Sequence, residues 1–240
     1  MSCGPRRPEP APYHRRVQGD RNGRKGLDPI RDEIDELCRA ATAEVRARAD
    51  AFWAEYERER DPAKLAAWFV PRCWREIDYV FMLGEELRRY GMRFERKHVT
   101  ALARQLHDEA EHYDAVGRII EELGGQVPTA PPPSAERWSA FLWESLERHP
   151  LGGIAAWNMS ETAATGTLEG IVEAGQRYEL PNVARSYEVI IKDERFHVGL
   201  GRLLLDRYAR SDGDLAEVRR AMAGMAEIVV SSHVALDLPL

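Results

Sequence analysis

The sequence predicts an all-α protein built around a four-helix bundle with one long crossover connection. Three observations lead to this prediction. Apolar residues recur at helical spacing almost without interruption from Asp28 onward, and no segment alternates in the way a strand does. Four long helical segments also lie two on each side of a proline-rich stretch, residues 126–134. Two helical pairs separated by one long connection are the arrangement of a bundle with a single crossover.

The first 27 residues differ from the rest of the chain in composition. They hold seven Lys or Arg residues against two acids, with four Pro, four Gly and few large apolar side chains. Such a segment cannot bury enough apolar surface to offset the entropy lost on ordering. We therefore expect a disordered basic arm over residues 1–27, followed by one helical domain over residues 28–240.

The first half of the domain is predicted to hold an added N-terminal helix and then a helical pair. Asp28 and Asp61 each precede a proline, which is a typical start of a helix. Pro71 is expected to break or kink the second segment, and Gly91 to end it. We expect helices over residues 30–60, 72–90 and 95–123.

The second half begins with the proline-rich crossover, in which Ser134 is suited to cap a short helix. Two long helices and a final shorter helix follow. The bundle thus gains extra helices at its N-terminus, in the crossover and at its C-terminus. We expect helices over residues 135–148, 151–177, 182–210 and 214–230.

Composition and charge exclude several classes of protein. No apolar run approaches the ~18 residues that span a bilayer, so we expect no membrane partner. Three widely spaced cysteines make a reducing cytoplasm the expected location. The formal net charge of −6 gives no general attraction to nucleic acid, and we do not expect a nucleic-acid partner. Cys3, Cys38 and Cys73 form no C-x-x-C pair, which argues against disulfide, zinc-ribbon and rubredoxin-type sites.

Two short motifs carry the chemistry. Residues 108–112 and 193–197 both read Asp-Glu-x-x-His, and each lies in a predicted long helix, one on either side of the crossover. Glu and His three residues apart share one face of a helix, where a carboxylate and an imidazole can bind the same transition-metal ion. One copy is weak support for a metal site, but two copies are much less expected by chance.

The partner carboxylates follow from helix geometry. Residues equally far from the turn of an antiparallel pair lie level, and the residue level with Glu109 is Glu76, 33 positions earlier. Glu161 lies the same 33 positions before Glu194. Glu85 and Glu86 lie nine or ten residues off level, about 14 Å along the helix, so we expect them to be solvated charges. The predicted metal ligands are Glu76, Glu109, His112, Glu161, Glu194 and His197.

The surroundings and the chemistry of these ligands favour a metal over solvated charges. Glu76 and Glu161 lie in largely apolar segments, where unpaired carboxylates cost several kcal/mol each to bury. Metal coordination removes that cost. Four carboxylates with two imidazoles and no thiolate suit iron or manganese better than copper or zinc.

Residues 70–210, with this pattern, resemble the ferritin-like di-iron carboxylate superfamily, which includes bacterioferritin, rubrerythrin and the bacterial di-iron monooxygenases. The resemblance implies a ferritin-like bundle with two iron ions, a manganese–iron or di-manganese pair being alternatives. It implies that Glu109 and Glu194 bridge the metals and that Glu76 and Glu161 are terminal ligands. It also implies that Asp108 orients His197 and that Asp193 orients His112.

The function we expect is a non-haem di-metal oxygenase or oxidase that activates O₂ to oxidise a small organic substrate, with electrons from an external donor. A ferroxidase or iron-storage protein remains an alternative, although the extra helices fit a storage shell poorly. A rubrerythrin-like peroxide scavenger is a second alternative, disfavoured by the absence of cysteine pairs. A tRNA-modifying hydroxylase is a third, supported only by the basic arm. A homodimer formed through the added helices is a further expectation.

Two residues near the ligands are candidates for catalysis. Thr165 lies four residues after Glu161, an offset at which the resembling monooxygenases carry a Thr, but it can also bond within its own helix. Tyr79, three residues after Glu76, is a candidate to carry a proton or a radical, or else a half-buried core residue. Small residues near Glu161, such as Gly152, Gly166 and Ala164, either leave room beside the metals or allow close helix packing.

Overall fold

The computed structural model describes residues 26–232, and this part of the chain is helical with no strand. The all-α prediction is thereby confirmed for these residues. None of the helices within this range is long and apolar enough to cross a membrane. Short 3₁₀ turns occur at Asp28–Ile30 and Gly91–Arg93. The α-helices are α1 (Arg31–Glu59), α2 (Pro62–Tyr90), α3 (Arg96–Glu122), α4 (Pro133–Arg148), α5 (Pro150–Arg177), α6 (Pro181–Tyr208) and α7 (Asp212–Ser232).

The packed part of the chain includes the last two residues of the predicted arm. Leu27 is buried, and its backbone N–H donates a hydrogen bond to Oδ1 of Asp206 at 3.1 Å. Gly26 has a φ of 55° and lies against the backbone of Asp206 where a Cβ atom does not fit. Residues 1–25 of the predicted arm, like residues 233–240, lie outside the described residues.

Helix α2 continues through Pro71, so the expectation that a helix restarts at Arg72 is wrong. A proline inside a helix removes one backbone hydrogen bond and disturbs the preceding turn. Here the Arg72 side chain donates from Nη1 to the carbonyl oxygen of Trp68 at 2.8 Å in that same turn. Phe69 and Cys73 on either side of the proline are fully buried, so tertiary packing holds the helix together.

Helices α2, α3, α5 and α6 form the central bundle. Helices α2 and α3 are joined by a tight turn, as are α5 and α6, and α2 also lies against α5 and α3 against α6. Helices α3 and α6 run antiparallel, because Glu95 pairs with Arg207 at one end and Glu122 pairs with Asn182 at the other. The crossover from α3 to α5 contains α4. Helices α1 and α7 pack outside on α5, and α4 packs against α2, α5 and α7.

The apolar core is divided into two clusters along the bundle. One cluster holds Met82 of α2 and Leu102 of α3, and the other holds Phe69 and Val116 of the same two helices. Each bundle helix passes from one cluster to the other, and the predicted metal ligands lie between them on all four helices. We call these six residues, Glu76, Glu109, His112, Glu161, Glu194 and His197, the Glu/His layer.

The glycines of α5 serve close helix packing. A Cβ atom at Gly166 would lie 2.5 Å from the backbone oxygen of Thr42 on α1, and one at Gly152 would clash with the backbone oxygen of Ser145 on α4. Of the small residues considered above, Ala164 instead lines a cavity beside the Glu/His layer. The two roles proposed for small residues are therefore divided between different positions.

Candidate metal centre

The structure brings all six predicted ligands together in the Glu/His layer. Glu109, His112, Glu161, Glu194 and His197 are buried, and Glu76 is largely so. Each of the four bundle helices contributes at least one of these side chains, and α3 and α6 each contribute a Glu and a His one turn apart. The level positions deduced from the sequence thus meet inside the bundle.

Glu109 lies at the centre of the layer. Its Oε2 atom is 3.5 Å from Nδ1 of His112, and its Oε1 atom is 3.2 Å from Nδ1 of His197. Two groups of potential ligand atoms result, each with its atoms within 4.8 Å of one another, and Glu109 belongs to both. One group also contains Glu76, His112 and Glu194, and the other also contains Glu161 and His197. Each group could hold a metal ion.

Several buried polar atoms of the layer lack hydrogen-bond partners within residues 26–232. They include Nδ1 of both histidines, Oε2 of Glu109 and Oε2 of Glu161. A buried donor or acceptor without a partner costs free energy that natural folds seldom leave uncompensated. These atoms belong to the two groups of potential ligand atoms, so a cation bound in each group would satisfy them. The residues present therefore fit a metal.

The two aspartates of the motifs lie behind the histidines in a crossed arrangement. Oδ2 of Asp108 is 3.3 Å from Nε2 of His197, and Oδ2 of Asp193 is 3.6 Å from Nε2 of His112. This is the pairing that the resemblance implies. Arg104 lies between the two carboxylates, 3.4 Å from Asp108 and 3.5 Å from Asp193. Carboxylates in this position hold a ligating imidazole in one orientation.

Protonation in the layer reflects burial and charge proximity. Burial raises the pKa of Glu76 to about 7 and that of Glu194 to about 8, and it raises the pKa of Glu161 well above the usual range. Burial also disfavours the charged form of Glu109, but the nearby imidazoles of His112 and His197 outweigh this effect and lower the pKa of the Glu109 carboxyl. Against the opposing effect of burial, Glu109 and Glu76 raise the pKa of His112 to about 12. Without a metal, the layer therefore retains protons at neutral pH.

Gln105 is a member of the site that the sequence analysis missed. Its side chain is buried, and Nε2 donates a hydrogen bond to Oε1 of Glu161 at 2.7 Å. The same Nε2 atom lies 3.4 Å from Oε1 of Glu109. Gln105 precedes Glu109 by four residues, so it shares the ligand face of α3. The four-residue spacing from Glu109 is a signal for this position, although a neutral glutamine is not among the usual metal-ligand types.

A cavity adjoins the layer on the side formed by α2, α5 and α6. It leaves about 50 Å³ of space for the centres of water-sized molecules. Glu76, Glu161 and Glu194 open onto it from the layer, and its remaining walls are formed by Arg72, Arg75, Tyr79, Ser160, Ala164, Thr167, Leu168, Tyr187 and Ile190. The layer therefore has free space for a small molecule on one side.

The two catalytic candidates are placed differently. Tyr79 lines the cavity, where burial and the nearby Glu161 carboxylate raise its pKa well above the usual value, so its hydroxyl keeps its proton. Thr165 is not among the residues that line the cavity. Its hydroxyl donates to the carbonyl oxygen of Thr162 at 2.7 Å, within its own helix. The alternative role given for Thr165 is the one that this geometry supports.

The two glutamates rejected as ligands lie outside the layer, but only one of them is a surface charge. Glu85 pairs with Arg88 and Arg89 at the surface. Glu86 is fully buried, and neither of its carboxylate oxygens has a hydrogen-bond partner within residues 26–232. The expectation that Glu86 is solvated is therefore wrong. The cause is tertiary: Gly153 on α5 and Leu146 on α4 cover this position, which helix level alone does not reveal.

Comparisons of the chain with protein families, with curated proteins and with solved structures find no match.

Proposed function

We propose that the protein is a ferritin-like non-haem di-metal enzyme that activates O₂ to oxidise a small organic substrate. The observation that carries the proposal is the position of Glu109 in two adjacent groups of ligand atoms. A carboxylate shared by two such groups is suited to bridge two cations, whereas a single-metal site needs only one group. The antiparallel helix pairs and the crossover between them agree with a ferritin-like bundle.

The donor atoms favour iron, with manganese as the alternative. The layer offers four carboxylates and two imidazoles, and no thiolate lies in either ligand group. Hard oxygen donors combined with imidazole suit iron and manganese. When bound, such a metal pair supplies the redox chemistry of O₂. We assign the electrons to an external donor, because the sequence has no C-x-x-C pair of the kind that holds a rubredoxin-type iron.

The chain's own residues would orient the ligands, admit the substrate and supply a proton. Asp108 and Asp193 hold the histidine rings, and Gln105 holds the Glu161 carboxylate by the hydrogen bond from Nε2. The cavity beside Glu76, Glu161 and Glu194 is the position for a substrate. Tyr79, with its hydroxyl protonated at this cavity, is the group we assign as proton donor.

The cavity also favours an oxygenase or oxidase over the alternatives. A ferroxidase uses the same type of ligand set, but it requires a route for iron rather than a pocket for an organic molecule. A rubrerythrin-like scavenger remains disfavoured by the absence of cysteine pairs. The tRNA-modifying alternative depends on residues 1–25, which lie outside the described residues, and it gains no support from the site.

Metal analysis followed by reaction with O₂ tests the proposal. We expect two iron or manganese ions per chain, and an optical change when the reduced protein meets O₂ that candidate substrates accelerate. Full-length protein with Glu111→Ala serves as a control, since Glu111 is an exposed residue of α3 that faces away from the layer. Absence of stoichiometric metal would refute the metal centre. Turnover of Fe(II) into a mineral core would instead establish a storage protein and refute the oxygenase.

A further inference from the structure

Two arginines of α2 line the cavity beside the Glu/His layer. Arg72 is only 9% exposed, although its side chain carries a full charge, and Arg75 lies one helical turn nearer to Glu76. Both lie on the α2 and α5 side of the layer, away from the aspartates behind the histidines. A guanidinium in so enclosed a position normally has an anionic partner.

Neither arginine forms a salt bridge with any residue of the range 26–232. Arg72 donates one hydrogen bond, from Nη1 to the carbonyl oxygen of Trp68, and its guanidinium carbon lies 3.3 Å from the centre of the Trp68 ring. The guanidinium carbon of Arg75 lies 5.5 Å from the centre of the Trp138 ring. The buried Nε–H of Arg75 has no hydrogen-bond partner within the described residues. Aromatic rings thus support both guanidiniums, while most of their N–H donors remain available.

The charge of the layer does not require these arginines. In the proposed metal-bound state, four glutamates balance two divalent ions, and the histidines are neutral ligands. On the far side, Asp108 and Asp193 share Arg104. Glu76 is the acid whose charge acts on both arginines, but it forms no salt bridge with either of them and is a ligand in the proposed metal-bound state. An anionic ligand at the cavity would give the two guanidiniums a direct partner.

We propose that Arg72 and Arg75 bind the carboxylate of a small substrate and direct the rest of that molecule towards the Glu/His layer. This inference rests on the proposed function, since it names the substrate class of that same site. The planar guanidinium can donate two parallel hydrogen bonds to the two oxygens of a carboxylate. Ala164, Leu168 and Ile190 provide an apolar wall for a short hydrocarbon chain. The small volume of the cavity suits a short carboxylic acid rather than an extended molecule.

Binding of propionate and of its neutral isostere propionamide tests the inference directly. Both are titrated into full-length protein, metal-free and metal-loaded, by ligand-observed NMR. We expect propionate to bind at least tenfold more tightly than propionamide in both forms. Arg75→Gln should reduce that preference at least tenfold, and Arg75→Lys should retain part of it. Arg118→Gln, which removes an exposed positive charge from α3, should leave the preference unchanged.

The outcomes separate this inference from the proposed function. Equal binding of the two probes to the wild-type protein would overturn the inference, as would an unchanged preference in folded Arg75→Gln. A preference seen only with metal bound, and retained in Arg75→Gln, would show a carboxylate bound by the metal and would overturn it too. If the protein holds no metal, the proposed function fails, but an arginine-dependent preference in the metal-free protein still supports carboxylate binding at this cavity.

Discussion

The Oε1 atom of Glu109 on α3 lies 3.2 Å from Nδ1 of His197 on α6, while the other oxygen of the same carboxylate faces His112. Glu109 therefore links the two halves of the Glu/His layer. In contrast, Glu161 contributes to only one of the two groups of ligand atoms. The two glutamates should consequently differ in how much metal the protein loses when each is removed.

We predict that Glu109→Ala abolishes binding of both metals, whereas Glu161→Ala reduces the content from two metals per chain to about one. The reason is that Glu109 belongs to both groups of ligand atoms, whereas Glu161 belongs to one, so that the group of Glu76, Glu109, His112 and Glu194 stays complete in Glu161→Ala. Elemental analysis of purified, iron-reconstituted protein measures the difference. Glu169→Ala, an exposed position on α5, is the matched control. Metal loading of Glu109→Ala equal to that of Glu169→Ala would contradict the prediction.

Removal of the aspartate behind His197 should weaken metal binding without removing a ligand. Asp108 accepts a hydrogen bond from Nε2 of His197, which fixes the ring with Nδ1 towards the layer. We expect Asp108→Ala to lower metal affinity by about 10- to 100-fold. Competition with a chromophoric chelator measures it. Asp114→Ala, an exposed change on the same helix, should have no effect, and an equal loss in both variants would refute the orienting role.

Metal affinity should rise with pH between 6 and 8.5. The raised pKa values of Glu76 (about 7) and Glu194 (about 8) mean that both carboxyls hold protons at the lower end of this range. Protons must leave before the carboxylates coordinate a cation, so each group adds up to about tenfold in affinity per pH unit below its pKa. Calorimetry in buffers of different ionisation heat should detect the protons released. Affinity independent of pH over this range would contradict the prediction.

Two glycines of α5 should respond to the same substitution with opposite signs. A Cβ atom at Gly166 would lie 2.5 Å from the Thr42 backbone oxygen, whereas one at Gly170 would meet nothing within 4 Å. We expect Gly166→Ala to lower the free energy of unfolding by about 1–3 kcal/mol, because α1 and α5 must separate. Gly170→Ala should raise it by about 0.5–1 kcal/mol, because alanine restricts the unfolded chain. Urea denaturation of both variants measures the difference, and equal effects would disprove the close approach.

The helical class and the candidate ligands could be predicted from the sequence because helical rise converts sequence distance into height along a bundle. Glu76 and Glu161 were deduced in this way from Glu109 and Glu194, and all four lie in one layer. The height of a residue along the bundle does not reveal whether a third helix covers its side chain. The burial of Glu86 depends on α4 and α5, and the continuity of α2 through Pro71 depends on packing around that turn, so both escaped prediction.

Neutral polar residues were missed for a different reason. Gln105 carries no charge and belongs to no motif, yet its amide contacts two glutamates of the layer. The lack of a salt bridge from Arg72 or Arg75 within residues 26–232 is likewise a property of the folded chain. Only the assembled bundle shows which charged side chains form ion pairs.

The Glu/His layer separates the apolar core of the bundle into two clusters. These two clusters follow one another along the bundle, and all four bundle helices pass through the Glu/His layer between them. A metal pair in this layer would hold the four bundle helices together between the two apolar clusters. Loss of the metals would leave each apolar cluster intact and would weaken the contacts between the helices in the Glu/His layer. Thermal unfolding of the metal-free protein would then start in the middle of the bundle rather than at its ends.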